Sequence, residues 1–267
     1  MAKKTNDRAL RFYNEVLGLE RLHYGLWQLQ DELTLANLKA AQQRYEDLLT
    51  GSIPADAKLV LDVGCGTGVM AAKLKSLGYD VEGMTPDIHQ KELIEAKAEI
   101  DLHFCKFENF QPTKAYDCII MSESAQYIPL PKLFGVAAEA LRGGGHLMVC
   151  DYFVLNHARG IMAKSGHNLD AFMKAAETHG FNLLKSKDIT SETAKTLEMA
   201  DNFCDRALLA ADIATEKIRK RHPGLTRLVL RLLRGKIGKL NEERRLIDAE
   251  SFKANKRYQF FLFQRNG

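Results

Sequence analysis

The sequence has no run of about 20 uncharged apolar residues, the length that a membrane-spanning helix needs, so no crossing segment is expected. Its first residues, Met1-Ala2-Lys3-Lys4-Thr5-Asn6-Asp7-Arg8, lack the apolar core of a secretory signal. The expected location is therefore cytoplasmic, with peripheral membrane contact left open. The five cysteines, Cys65, Cys105, Cys118, Cys150 and Cys204, include no C-x-x-C pair. Their odd number argues against a disulfide framework, and four lie in or beside predicted strands as small hydrophobes. There is no H-E-x-x-H and no clustered His/carboxylate pattern, so no metal is expected. Internal repeats and low-complexity tracts are also missing. A net charge of +4 over 267 residues is too small to imply nucleic acid by itself.

What is present is an ordinary globular balance, 46% hydrophobic and 27% charged, in a chain long enough for one core with appended elements. Residues 7–50 read as helix, with Leu10, Tyr13, Val16 and Leu17 at helical spacing and the same pattern from Leu33 to Leu49. Gly51-Ser52-Ile53-Pro54 ends that stretch. Apolar runs then alternate with amphipathic segments. Strands are expected at Leu59–Val63, Asp80–Met84, Leu102–Cys105, Cys118–Ser122, His146–Asp151 and Asn182–Asp188, and helices begin near Val69, Ile88, Leu130 and Asn168. Such alternation implies a mostly parallel sheet covered on both faces. A helical stretch follows from about 190 to 246. The closing Arg257-Tyr258-Gln259-Phe260-Phe261-Leu262-Phe263-Gln264 reads as a seventh strand at the sheet edge. The expected fold is α/β, a doubly wound seven-stranded Rossmann-like sheet. It divides into an N-terminal helical cap (1–57), a cofactor-binding core (58–189), and a helical lid with the final strand (190–267).

The most informative stretch is Leu59-Val60-Leu61-Asp62-Val63-Gly64-Cys65-Gly66-Thr67-Gly68, a strand running into three alternate glycines and then a helix. Glycine permits a tight turn and a close ligand approach, and ligands of open α/β sheets bind past the carboxyl ends of such strands. The dinucleotide fingerprint needs a third small residue where Val69 stands. No Gly-Lys-Ser/Thr follows, which excludes a P-loop. Asp62 would repel a pyrophosphate but suits a ligand carrying an ammonium and a sulfonium. At about 4 Å, opposite charges attract by about 4 kcal/mol at an effective dielectric near 20.

D-V-G-C-G-T-G resembles the first motif of class I S-adenosylmethionine-dependent methyltransferases. That resemblance implies S-adenosyl-L-methionine as cofactor, with Asp62, Gly64, Cys65, Gly66 and Gly68 in its loop. Gly83-Met84-Thr85-Pro86-Asp87-Ile88-His89-Gln90 ends the second strand; its Thr with a Gln five residues on is similar to cyclopropane fatty-acid synthases and to sterol and tocopherol methyltransferases. Thr85, Asp87 and Gln90 are then expected to serve the ribose. Phe104-Cys105-Lys106-Phe107-Glu108-Asn109 resembles the adenine-bracketing segment, with Phe107 and Glu108 as its contacts. Lys106 departs from the pattern, because relatives place an Asp there and a lysine cannot accept a hydrogen bond. Arg142-Gly143-Gly144-Gly145-His146 matches the turn before the fifth strand.

Met121-Ser122-Glu123-Ser124-Ala125-Gln126-Tyr127-Ile128-Pro129 resembles the S-M-E-S-x-E-H-M-P stretch of tocopherol methyltransferases, with Ser122 at the cofactor edge and Gln126-Tyr127 in place of the Glu-His pair. Glu123 is a candidate base or cation stabiliser; a loop carboxylate accepting backbone hydrogen bonds is the alternative. Phe12-Tyr13 and His23-Tyr24-Gly25-Leu26-Trp27 are similar to elements that fold over the cofactor in lipid and amine methyltransferases. His23 and Tyr127 join Glu123 as catalytic candidates, although capping or packing is the favoured reading of His23, and Trp27, the sole tryptophan, reads as core. Tyr152 and Phe153 are candidates to line the acceptor pocket.

Between 216 and 240, nine Lys and Arg residues interleave with leucines. A basic amphipathic helix from Leu225 to Leu240 can roof the pocket, touch an anionic membrane weakly, or bind an acidic partner. The expected partner is a small hydrophobic acceptor, lipid or isoprenoid-like, methylated on carbon or oxygen. N-methylation of a small amine and a non-catalytic cofactor-binding or membrane-interacting protein are the alternatives. N-P-P-Y, D-P-P-Y and a P-C nucleophile are absent, which counts against a nucleic-acid substrate.

Overall fold

A computed structural model describes residues 18–97, 99–221, 224 and 244–267. The helical readings for residues 7–17, with Phe12 and Tyr13, and for residues 225–240 fall outside those described.

The described chain begins with an irregular strap, residues 18–34, followed by α1 (Leu35–Thr50). The helix expected over the strap does not form. Leu26 N–H bonds the Ala41 carbonyl (2.8 Å) and Trp27 N–H bonds the Glu192 carbonyl (3.2 Å). Its backbone donors are thus spent on neighbouring helices, and a Cβ on Gly25 would meet the Ala41 Cβ at 2.6 Å. Thr34 caps α1, its hydroxyl accepting from Asn37 N–H at 3.2 Å.

Next come β1 (Leu59–Val63), α2 (Val69–Ser76), β2 (Asp80–Met84), α3 (Ile88–Lys97), β3 (Asp101–His103), β4 (Tyr116–Ser122), α4 (Leu130–Ala140) and β5 (Leu141–Val154). The two-residue β6 (His167–Asn168), α5 (Leu169–Thr178), β7 (Phe181–Asp188), the 32-residue α6 (Thr190–Arg221), α7 (Ala249–Asn255) and β8 (Lys256–Arg265) complete the described elements. Strand order is β3-β2-β1-β4-β5-β8-β7, with β6 attached to β5. The strands from β1 to β6 pair in parallel, and β8 runs antiparallel to both β5 and β7.

The last strand therefore lies inside the sheet, not at its edge. Tyr258, Phe260, Phe261, Leu262 and Phe263 are all buried, so both faces of β8 need cover that an edge would not supply. The edge falls to β7, which is exposed along most of its length and carries Lys185 and Lys187, charges that discourage further pairing. The third strand is shorter than expected and ends at His103, leaving Cys105 in the following loop.

Period-two alternation divides the core in two. Leu61, Val63, Ile119, Met121, Leu147, Val149, Phe261 and Phe263 face α4 and α5, where Phe134 and Phe172 fill the layer. Val60, Cys118, Ile120, Met148, Cys150, Phe260 and Leu262 face Tyr45 and Leu49 of α1, Leu74 of α2 and Leu197 of α6. Each fully buried aromatic contributes roughly 2–3 kcal/mol. Strand order reverses between β1 and β4, and this switch point opens a crevice at their carboxyl ends.

Candidate functional site

Leaving β1, the chain is pinned to the end of β2 by Gly64 and Cys65 N–H, which donate to the Met84 carbonyl at 2.8 and 3.2 Å. A Cβ on Gly64 would strike Ser124 Cβ at 2.5 Å, whereas one on Gly66 (φ +57°) would meet nothing within 4 Å. The first glycine is needed for packing. The second leaves open room above the loop. Gly68, with φ 81°, caps α2 and does not line that room.

The room is a cavity of about 670 Å³. It brings together Asp62, Gly64, Cys65, Gly66, Thr85, Asp87, Gln90, Phe107, Glu108, Ser122, Glu123, His23 and Tyr127, the expected site residues other than Gly68. Asp62 is 2% exposed, and its Oδ2 has no hydrogen-bond partner among the described residues. Burial pushes its carboxyl up to about 7, against a small lowering by the His23 charge. A buried, unpaired carboxylate oxygen beside an open glycine is costly unless a cation satisfies it.

At the end of β2 the Thr85 hydroxyl is fully buried and donates to Gln90 Oε1 at 2.7 Å. It also accepts from Asp87 N–H at 3.1 Å. Asp87 Oδ1 in turn accepts from the N–H groups of His89 (2.9 Å) and Gln90 (3.2 Å), capping α3. Thr85 thus orients Gln90 where both line the cavity. Phe107 is buried beside the cavity, and Lys106 reaches Glu108 at 3.4 Å from an exposed position.

Glu123 follows β4 with φ 54°, the one non-glycine at positive φ among the described residues. Such conformations cost about 1–3 kcal/mol and cluster at functional sites. Its Oε1 accepts from Tyr24 N–H (2.7 Å) and Tyr258 O–H (2.6 Å), and burial pushes its carboxyl above the usual range. His23 stacks on Tyr45 with centroids 4.6 Å apart and donates from Nδ1 to the Tyr24 carbonyl at 2.7 Å. Tyr127 is 77% exposed at the cavity rim.

Tyr152 and Phe153 do not line this cavity. Phe153 is buried against Phe172, and Tyr152 lies under the Lys256 ammonium, 4.3 Å from its ring centroid. Trp27 is core, donating from Nε1 to Thr196 Oγ1 at 2.9 Å.

Sequence reasoning missed Arg21, Glu46 and Thr67 on the cavity wall, and Tyr45, Asp151 and Tyr258 behind it. Thr67 Oγ1 donates to the Glu20 carbonyl at 2.6 Å, tying the glycine loop to the strap. Arg21 was hidden by the helical reading of the strap. Asp151 had a signal: like Asp62, it is a carboxylate directly after a buried apolar run within a strand. Its carboxyl is buried and sits up at about 8, raised by desolvation and then by Glu123, while Gln126 N–H donates to it at 3.0 Å.

The model of the methyltransferase domain family matches residues 37–195. The chain belongs to this family. It is an S-adenosylmethionine-dependent methyltransferase, and the open glycine and the unpaired Asp62 oxygen fit that cofactor. The chain is similar to the ubiquinone biosynthesis O-methyltransferase of Nitrosococcus oceani, 25% identical over 187 residues, 61% of this chain and 77% of that protein. With the same-named protein of Shewanella pealeana, it is 25% identical over 142 residues, 50% of this chain and 59% of the relative.

Among solved structures, the geranyl diphosphate C-methyltransferase of Streptomyces coelicolor superposes with a TM-score of 0.68 at 15% identity, covering 99% of this chain and 98% of that one. The [4+2]-cyclase SpnF reaches 0.71 at 18% identity, covering 97% and 94%. One fold thus serves different reactions, and chemistry has to be argued from the site. No described helix is long and apolar enough to cross a membrane.

Proposed function

We propose that this methyltransferase acts on a small hydrophobic acceptor, phenol-like or isoprenoid-like, at an oxygen or a carbon that must lose a proton, and that Glu123 takes that proton. The observation that carries this reading is that Glu123 and the Asp62–Gly66 loop open on one cavity. When bound, S-adenosylmethionine supplies an electrophilic methyl group on a sulfonium. Asp62 would hold the cofactor's ammonium, and Gln90 with Asp87 its ribose hydroxyls. Phe107 would flank the adenine, and Glu108 accept from its amine.

Positioning the acceptor supplies much of the acceleration in such a displacement. A carboxyl raised by burial is the better base for a weakly acidic O–H or C–H, since transfer is most efficient when the base has a pKa near the working pH. His23, which hydrogen-bonds the Tyr24 carbonyl, is better placed to shape the wall than to move a proton. Tyr127 at the rim would meet the acceptor's apolar part. The activities of the similar proteins, ubiquinone biosynthesis O-methylation and geranyl diphosphate C-methylation, support an isoprenoid-like acceptor.

The test is methyl transfer to a panel of alkylated phenols, quinols and isoprenyl diphosphates. Glu123→Gln should keep S-adenosylhomocysteine affinity and lose roughly 10²-fold or more in turnover, the range of acid–base catalysis. Unchanged turnover returns Glu123 to a structural carboxylate.

A further inference from the structure

Behind the cavity wall, two phenols 213 positions apart in the chain meet on one face of the sheet. Tyr45 of α1 and Tyr258 of β8 are fully buried, their Oη atoms 3.1 Å apart and their rings edge-to-face. Tyr258 Oη donates to Glu123 Oε1 at 2.6 Å. Tyr45 Oη lies 3.0 Å from Ser122 Oγ and 3.3 Å from the Cys150 carbonyl oxygen. Ser122 and Glu123 both line the cavity, so this chain of hydroxyls leaves it at one side chain and returns at the next.

We infer that Tyr258, backed by Tyr45, is a positioning residue that aims the Glu123 carboxyl into the cavity and stabilises its ionised form. The inference rests on the reading of Glu123 as the base. A phenol carries one proton. The proton of Tyr258 goes to Glu123 across the shorter contact, which leaves the Tyr45 proton shared between Tyr258 Oη at 3.1 Å and the Cys150 carbonyl oxygen at 3.3 Å, with Ser122 able to donate to Tyr45. The Tyr258 O–H dipole points at the carboxylate, and whenever Tyr45 donates to Tyr258 the chained hydrogen bonds polarise one another in the same direction.

Glu123 Oε1 is saturated by Tyr258 and Tyr24 N–H, whereas Oε2 has no hydrogen-bond partner among the described residues. Oε2 is therefore the oxygen left for the acceptor's proton. Burial opposes ionisation of Glu123, and the His23 charge and these two donors counter it. The other titratable groups facing Glu123 are Tyr45, Tyr127, Cys150, Asp151 and Tyr152. Burial drives both Tyr45 and Tyr258 well above the ordinary phenol range, so they act as fixed donors and not as bases.

The experiment is a carbon-13 NMR titration of the full chain with S-adenosylhomocysteine bound, glutamate side-chain carboxyls labelled and the Glu123 signal assigned from Glu123→Gln. Tyr258→Phe keeps the ring and removes the donor. Its Glu123 midpoint should move to higher pH, with Tyr45→Phe moving it less, while S-adenosylhomocysteine affinity stays within about twofold. Turnover of an acceptor found in the panel should fall about tenfold, the weight of one hydrogen bond to a charged group. The acid limb of its pH profile should shift the same way.

If Tyr258→Phe fails to fold, difluorotyrosine at position 258 provides the second arm. It is a stronger donor and should move the midpoint down. A midpoint unmoved in whichever arm folds overturns the inference. A moved midpoint with full turnover in Glu123→Gln overturns only the assignment of the base, so the two failures are distinguishable.

Discussion

The guanidinium of Arg21 forks onto the carboxylate of Glu46, with Nε 2.6 Å from Oε1 and Nη2 3.1 Å from Oε2. The pair joins the strap to α1 on the cavity wall. Glu46 is 1% exposed, and His23 and Lys73 approach it at 3.5 Å. Burial alone would raise its carboxyl, but the hydrogen bonds from His23 and Arg21 bring it down to about 2.

Arg21→Met should therefore destabilise the protein by about 2 kcal/mol at pH 7. That is less than the roughly 3–5 kcal/mol for breaking a buried pair, because His23 and Lys73 remain. A folded carboxyl held below its unfolded value of about 4.3 contributes stability above that value and loses it as pH falls toward 2. The difference between variant and wild type should shrink below pH 4. Urea unfolding at pH 7 and pH 3 measures both, and equal stability at pH 7 rules the pair out as a support.

Asp62 titrates in the opposite sense. Burial holds it up at about 7, so its contribution to stability is full below the ordinary carboxylate range and lost as pH rises through 7. Asp151, raised to about 8, adds to the same trend. The melting temperature of the ligand-free protein should fall from pH 5 to pH 8.5, and Asp62→Asn should flatten part of that fall. An ammonium bound at Asp62 requires the ionised form. Binding of S-adenosylhomocysteine at pH 6 should thus expel close to one proton, and almost none at pH 8.5. Calorimetry in two buffers of different ionisation heat reads this directly. Equal heats at pH 6 would remove the ammonium from Asp62.

Two glycines of the loop should fail differently. Gly64→Ala drives a Cβ into Ser124 and should lower stability by about 1–3 kcal/mol, as overpacking does. Gly66→Ala meets no protein atom and should cost only the strain of positive φ, about 1 kcal/mol. It should nevertheless weaken S-adenosylhomocysteine binding at least tenfold, and Gly66→Val should abolish it. Wild-type affinity in Gly66→Val contradicts a cofactor seated on this loop.

The basic stretch 225–240 lies outside the described residues, and its membrane role is a proposal from sequence. If it docks weakly on anionic lipid, each basic residue adds about 1 kcal/mol. Replacing Arg227, Arg231 and Arg234 with Gln should then weaken liposome binding by roughly two orders of magnitude. Flotation on phosphatidylserine vesicles at low salt tests it. If the wild-type protein does not float, the membrane contact is lost as an explanation, and a pocket roof remains.

Strand–helix alternation, the starts of α2, α3 and α4, and the glycine loop were legible because each is a local pattern: a buried run, a turn residue, a helical period. Asp62 was legible for the same reason, since it lies inside the motif that marks the loop. The strap reads as helix because helical spacing before it, at Leu10 to Leu17, and after it, from Leu33 to Leu49, carries across when the hydrogen-bond partners on α1 and α6 are out of sight. Tyr152 and Phe153 were placed at the acceptor by nearness in sequence to Asp151, but strand alternation turns Phe153 into the α4–α5 core.

From the sequence alone came the α/β class and a cofactor loop whose chemistry favours a cation, because strand, turn and helix signals need only neighbours along the chain. Only the tertiary structure decided that β8 enters between β5 and β7, that Arg21 meets Glu46, and that Tyr258 reaches Glu123 from 135 positions away. Those contacts depend on strand register and helix packing between segments far apart in the chain. The aromatic run of β8 predicts burial equally well beside any neighbour, and its actual neighbours place a phenol behind the carboxyl that the cavity exposes.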